Sequence, residues 1–519
     1  MWHPTATFAA SPSSRVSLKR NVVANYLGQA WVALMALAFV PVYIGYLGME
    51  AFGLIGLFVV IQAWLTLLDM GMTPTVTREM ARFEAGEHSA QSIADLLRTL
   101  ELLCAGIAML IIIAMTVAAG WLANHWLRAD SLSPQTVEAA VCVAGVVVAL
   151  RFVEGLYRGA IYGLQRQVWF NVVNAGVSTV RSVGMIAVLA WVAPTIEAFL
   201  IWQAVWAAVP LAMYAWKVHA VLPRARQRPR FSSRALADVR HFAGGMMATT
   251  AVVLLLTQVD KVLLSRLLPL ESFGYYALAS AVAGALAMLL VPITNAVYPR
   301  MVVLVTSGES GALASLYHFS AQLVTVALVP AALLLALHSQ GVLFAWSGNS
   351  ALAAQTAPLL SVLALGTMLN GLMYVPFHLQ LAHGWTSLAL RWNLMAVVVF
   401  VPAIWWLVPT HGGIAAAWIW VCLNVCNVTV VAPLMFRRLL TAERGAWYRT
   451  DVLWPCAGVL TVLLATLPLR PLTYTGRWQW LGFLLLVSAA AILAAVVLSP
   501  QVRSRLGLQR DTEAPDAAA

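Results

Sequence analysis

Leu102-Leu-Cys-Ala-Gly-Ile-Ala-Met-Leu-Ile-Ile-Ile-Ala-Met-Thr-Val-Ala-Ala-Gly-Trp121 runs for 20 residues without a charge. As a helix such a stretch rises about 30 Å, the thickness of a bilayer's hydrocarbon core. Comparable stretches recur from Asn21 to Leu498. Hydrophobic residues make up 61% of the chain and charged residues only 10%. Soluble domains carry about 25% charged residues, so no water-facing surface can be assembled from this composition. The stretches show no alternation of polarity. In lipid, backbone groups must then be satisfied within each segment, which selects helices over barrel strands.

Fourteen spans are expected, at 21–47, 51–75, 93–121, 136–163, 168–193, 196–219, 239–267, 271–299, 313–337, 355–383, 386–408, 412–436, 450–469 and 479–499. The net charge of +11 is distributed by side rather than gathered for nucleic acid. With the N-terminus inside, the outer side holds only Arg128, Arg266, Arg470 and Arg477, and Arg151, Arg181 and Lys261 fall within spans. The other Lys and Arg sit in inner loops and flanks, the positive-inside pattern of a cytoplasmic membrane protein with both termini in the cytoplasm. The run Arg224-Ala-Arg-Gln-Arg-Pro-Arg230 reads as a loop resting on anionic lipid. Five cysteines, Cys104, Cys142, Cys422, Cys426 and Cys456, all fall in spans and read as small packing residues.

The chain repeats itself. Leu47-Gly-Met-Glu50-Ala-Phe52-Gly53 and Leu268-Pro-Leu-Glu271-Ser-Phe273-Gly274 stand 221 residues apart, from 47 to 268, at the same outer turn of a six-span unit. Each unit begins inside, so the repeats are parallel. The organisation read from this is a cytoplasmic segment 1–20, an N-lobe 21–219, a basic linker 220–238, a C-lobe 239–437, an extra helix pair 450–499 and a tail 500–519. The fold class is an all-α polytopic membrane protein: two six-helix lobes plus an extra C-terminal pair. The longest outer segments, 122–135 and 338–354, are short and nearly free of acid–base residues, which argues against an enzyme. Neither a nucleotide-binding glycine loop nor a metal-spaced His cluster occurs in the sequence.

A charge at mid-span costs about 2.5–3.5 kcal/mol even on lenient scales, so each needs a reason. Asp69, Arg151, Glu154, Arg181, Asp260 and Lys261 qualify. Gln62, Thr66, Asp69 and Thr73 form one helical stripe; Arg151, Glu154, Arg158 and Tyr162 form another. Asn171, Asn174, Ser178 and Arg181 make a third, with Asn25 and Gln29 on span one and Thr367, Asn370, Tyr374 and His378 on span ten. Such stripes face inward, either as polar glue between helices or onto a wet path. Arg151 with Glu154, and Asp260 with Lys261, are close enough in sequence to pair. Gly155, Gly159 and Gly163 make a small-xxx-small pattern that close helix packing explains. Arg151 and Arg181 both lie roughly 18–20 Å above the cytoplasmic edge on adjacent antiparallel spans.

Asn25-Tyr-Leu-Gly28, Pro41-Val-Tyr-Ile-Gly-Tyr-Leu-Gly48, Phe52-Gly53, Leu68-Asp69-Met-Gly71 and Arg78 resemble the opening of bacterial oligosaccharide flippases. These belong to the multidrug/oligosaccharidyl-lipid/polysaccharide exporter superfamily. Val259-Asp260-Lys261, Phe273-Gly274-Tyr-Tyr276-Ala277 and Tyr298-Pro299-Arg300 are similar to the matching second-lobe segment, and the resemblance covers about 20–440. It implies translocation of an undecaprenyl-diphosphate-linked oligosaccharide to the periplasmic leaflet of the bacterial inner membrane by alternating access. Partners would be the lipid-linked oligosaccharide, membrane lipids and polymerase or chain-length machinery. The extra pair 450–499 looks like that of fourteen-span lipid II flippases. On this reading Arg151 and Arg181 bind diphosphate, and Asn171, Asn174, Asn370 and Tyr374 meet the sugar. Asp69, Glu154 and Asp260 are the candidates for proton or sodium coupling, with no other cofactor. The alternative is a cation-coupled multidrug-type exporter of the same superfamily.

Overall fold

The computed structural model describes residues 12–69, 71–223, 227–232, 254–255, 257–471 and 476–505. Among them regular structure is helical throughout. The chain divides into two compact units, one running to Gln258 and taking in Pro269–Glu271, the other holding the remainder. The first contains α1 (Pro12–Ala38), α2 (Val40–Leu65), α3 (Met72–Glu84), α4 (Ala90–Trp121), α5 (Pro134–Gly163), α6 (Gln167–Trp191) and α7 (Ile196–Val221). The second contains α8 (Leu270–Gly284), α9 (Val291–Ser307), α10 (Ser310–Leu337), α11 (Ser339–Ser347), α12 (Ser350–Leu372) and α13 (Tyr374–Ala382). It continues through α14 (Ser387–His411), α15 (Gly413–Cys426), α16 (Trp454–Thr466), α17 (Arg477–Val497) and α18 (Pro500–Arg505).

Twelve helices among the described residues are long and apolar enough to cross a membrane. The expected fourteen is therefore not reached there. The first expected span corresponds to α1, whose apolar run is diluted by Asn21, Asn25 and Gln29. Most of the seventh, 239–267, lies outside the described residues. The other twelve match in place. Several start at hydroxyl or amide caps: Ser89 accepts from the Ser92 N–H, Ser133 from Thr136, Thr195 from Ala198 and Asn349 from Leu352. Each cap satisfies one of the N–H groups that a helix start leaves orphaned.

Span two differs from the expectation. It ends in a 3₁₀ turn, Thr66–Asp69, and the chain then passes through Gly71 at φ 73° into α3. The stripe Gln62–Thr73 is thus broken, because a left-handed residue cannot continue the helix. Instead Asp69 caps the next segment, accepting from the Thr73 hydroxyl at 2.7 Å and the Thr73 N–H at 3.2 Å. The second unit breaks at the matching place, a 3₁₀ stretch at Ala285–Leu289, and Thr294 there bonds back to the Leu290 carbonyl. Thr73 and Thr294 stand 221 apart, the same offset as the turns at Glu50 and Glu271. Pro41, Pro74, Pro292 and Pro376 each fall in the first turn after such a break, where a missing N–H costs nothing.

α5 packs on α3, α4 and α7. The small-residue pattern serves the first of these: a Cβ on Gly163 would lie 2.4 Å from the Thr77 carbonyl oxygen, and one on Gly159 2.8 Å from that of Thr73. Thr77 also donates to the Gly159 carbonyl at 3.0 Å. At the turn following Gly48 (φ 82°), Glu50 accepts from the N–H groups of Asp130 and Ser131 at 2.7 and 2.9 Å and from the Ser131 hydroxyl. The described part of the linker is fastened to α4. Gln91, Asp95 and Thr99, one turn apart on that helix, accept from the backbone N–H groups of Gln227, Arg230 and Ser232 at 2.8–3.0 Å.

Candidate functional site

α2 with the break that follows it, α5 and α6 border a cavity of about 580 Å³ in the first unit. Gln62, Asp69 and Thr73 reach it from span two and the start of α3. Arg151, Glu154 and Arg158 come from α5, and Asn174, Ser178 and Arg181 from α6. α1 contributes Val32 and α7 contributes Pro210. Three of the inward stripes expected from the sequence therefore meet on one space.

The charges inside are unequal: three guanidinium groups face two carboxylates. Arg151 donates to Gln62 at 3.0 Å, and Arg151 and Arg181 are close enough to act on each other electrostatically. The expected pairing of Arg151 with Glu154 is not made. No cation approaches Glu154 within 4 Å among the described residues, although Arg158, Arg151 and Arg181 are near enough to act on its charge. Side chains on one helix at i and i+3 share a face, but Arg151 extends across to α2 instead. Neither Arg158 nor Arg181 donates a side-chain hydrogen bond to any described residue. The Arg181 carbonyl accepts from Trp202 at 3.0 Å, which fixes the backbone of α6 but leaves the guanidinium free of it.

Not every expected residue lies here. Asn171 is buried, and its amide is used structurally: it donates to Asn25 at 2.6 Å and to the Gln167 carbonyl at 2.8 Å. It ties α1 to α6, and Gly28 makes room for it, since a Cβ there would sit 2.4 Å from its amide oxygen. Asn370 and Tyr374 line a different cavity of about 330 Å³ within the second unit. Tyr374, Phe377, His378 and Trp392 form its aromatic wall and Asn370, Asn393 and Asn427 its amide wall, with no Asp, Glu, Lys or Arg among the described residues. Asp260 accepts from the Tyr276 hydroxyl at 2.9 Å and lies 3.6 Å from Lys261, the pairing anticipated from their adjacency.

Arg158, counted from the sequence among the inner flanks and not among the candidate site residues, lines the cavity as well. The signal was present, because it follows Glu154 by four residues and Arg151 by seven on one helical face. Gln62, as the partner of Arg151, carried no signal: its contact spans 89 residues.

Two units of membrane-length helices, the first holding a charged cavity, make up a polytopic membrane protein. The sequence model of the family described as "Polysaccharide biosynthesis protein" matches residues 18–305, and the chain belongs to that family. It is 20% identical over 409 residues to a "Putative O-antigen transporter" of Shigella flexneri, covering 78% of this chain and 94% of that one. Among solved structures it is similar to the lipid II flippase MurJ in an inward closed conformation, at a TM-score of 0.66 and 12% identity. That match covers 94% of this chain and 99% of MurJ. It also resembles an inward-facing multidrug resistance MATE transporter of the MOP superfamily, at a TM-score of 0.63 and 13% identity, over 81% and 96%. The shared architecture is that of the superfamily expected from the sequence.

Proposed function

We propose that the protein is a flippase that turns an undecaprenyl-diphosphate-linked oligosaccharide from the cytoplasmic to the periplasmic leaflet by alternating access. The observation that carries this is the group of three arginines in the first-unit cavity, two of which make no side-chain hydrogen bond there. Diphosphate is a dense anion whose oxygens match the planar fork of guanidinium, and each charge-assisted hydrogen bond contributes about 1.5–3 kcal/mol. Asn174, Ser178 and Gln62 supply neutral partners beside them. The uncharged aromatic and amide cavity of the second unit suits a sugar ring. A multidrug exporter of cationic compounds is the rival reading, and an excess of arginine is unfavourable to it.

Asp69 and Glu154 are the carboxylates of this cavity and the groups we assign to proton or sodium coupling. The test is complementation of a deletion strain, scored by surface polysaccharide beside a membrane immunoblot. Ala at Arg151, Arg158 or Arg181 is expected to abolish export with protein level retained, and Lys to restore only part of it. Normal polysaccharide in all three Ala variants, or restored drug resistance in place of polysaccharide, refutes the assignment.

A further inference from the structure

In the second unit a histidine is held between two carboxylates. His318 on α10 has Nδ1 2.5 Å from Asp451 and Nε2 3.0 Å from Glu443. Asp451 lies in a π-helical turn, Trp447–Leu453, that leads into α16, and its side chain is 1% exposed. Its second oxygen accepts from the Gln322 amide at 2.8 Å, and the Gln322 oxygen accepts from the Gln501 N–H of α18 at 2.8 Å. One network thus joins α10 to both ends of the extra helix pair.

Proton counting makes this arrangement informative. An ionised carboxylate only accepts, and a neutral imidazole has one N–H. With a carboxylate at each ring nitrogen, a neutral ring would leave one contact as lone pair against lone pair, beside a buried charge. The geometry is satisfied only when the cluster holds one proton more, shared as an imidazolium between the two acids. Other charged or titratable groups on the elements that meet there are Tyr317 on α10, Arg444, Tyr448 and Arg449 close to Asp451 in the chain, and Arg503 and Arg505 on α18. Arg505 stacks over Phe319 at 4.2 Å, and none of these groups ion-pairs with the cluster among the described residues.

We propose that His318, Glu443 and Asp451 form a proton-binding latch that fastens the extra C-terminal helix pair to α10. With the proton bound, Trp447–Leu453 is held to α10; without it, Asp451 faces a ring lone pair and the segment releases. One proton held in the latched form and absent from the released form makes the release equilibrium rise by up to tenfold per pH unit above about pH 6.5, where a free imidazole titrates.

Hydrogen–deuterium exchange of the full-length protein in lipid nanodiscs tests this, with rates across 447–453 corrected for intrinsic pH dependence between pH 6 and 9. Wild type is expected to lose protection as pH rises. Asp451→Asn gives the informative contrast. Its carboxamide oxygen still accepts from Gln322, its NH₂ donates to Nδ1, and Nε2–H donates to Glu443, so the network closes without the extra proton. Protection should then persist and the pH step vanish. Glu443→Gln follows the same logic from the other side and serves if Asp451→Asn does not fold. A wild type without a pH step, or a carboxamide variant that keeps the wild-type step, overturns the proposal.

Discussion

Replacing Gly163 by Ala tests whether α3 is part of the cavity's framework. The new Cβ would stand 2.4 Å from the Thr77 carbonyl oxygen and 2.6 Å from Met80 Cβ, where ordinary contacts begin near 3.4 Å. Both obstacles belong to the body of α3 rather than to a flexible tip, so α3 must retreat by about 1 Å. Overpacking of this kind costs about 1–3 kcal/mol. Thr73, in the first turn of the displaced helix, bonds Asp69 on the cavity wall, so transport should fall as well as stability. Gly176→Ala on α6 is the control: nothing lies within 4 Å of its Cβ, and the change gains about 1 kcal/mol of helix propensity. Apparent melting in detergent and complementation would be read for both. If Gly163→Ala melts and transports like wild type, α3 does not seat against α5 as described and the account of the cavity floor fails.

Three further outcomes are expected. Asn171→Ala should lower protein level, with about 1 kcal/mol lost between α1 and α6, yet leave transport per molecule unchanged, whereas Asn174→Ala should do the reverse. Asp69→Ala loses the cap of α3 at a cost of about 1 kcal/mol, while Asp69→Asn keeps an acceptor and folds; full, ionophore-insensitive transport by Asp69→Asn removes this residue from coupling. Burial raises the Glu79 carboxyl, but hydrogen bonds from His88 and Arg78 and the Arg82 charge bring it below its ordinary value of 4.5. Its folded value is depressed, so its contribution is present above that value and lost as pH falls through the folded one. The melting difference between wild type and Glu79→Gln should therefore shrink below pH 4.5, and a constant difference down to pH 3 would contradict the cluster.

Span positions were legible because burial in lipid demands one long apolar run per crossing, and Glu50 and Glu271 mark matching turns 221 residues apart. The break at Asp69–Gly71 was not. Its cause is a single left-handed glycine, which hydropathy does not register. Membership of the cavity depended on that break and on helix rotation: Arg151 and Arg181 line it, while Asn171, on the same stripe as Arg181, faces α1. His318 and Asp451 carry no mutual signal at all, being 133 residues apart and united only by how α16 is brought back to α10.

The three side chains of α4 that hold Gln227, Arg230 and Ser232 change what the connection between the halves of the chain is. A tether's reach is counted from its last anchored residue, and effective concentration falls steeply with that reach. Among the described residues the last anchor is Ser232, not the end of α7 at Val221. Residues 227–232 thereby belong with the first half, so a chain divided for co-expression should be cut after Ser232, where they stay with the helix that grips them.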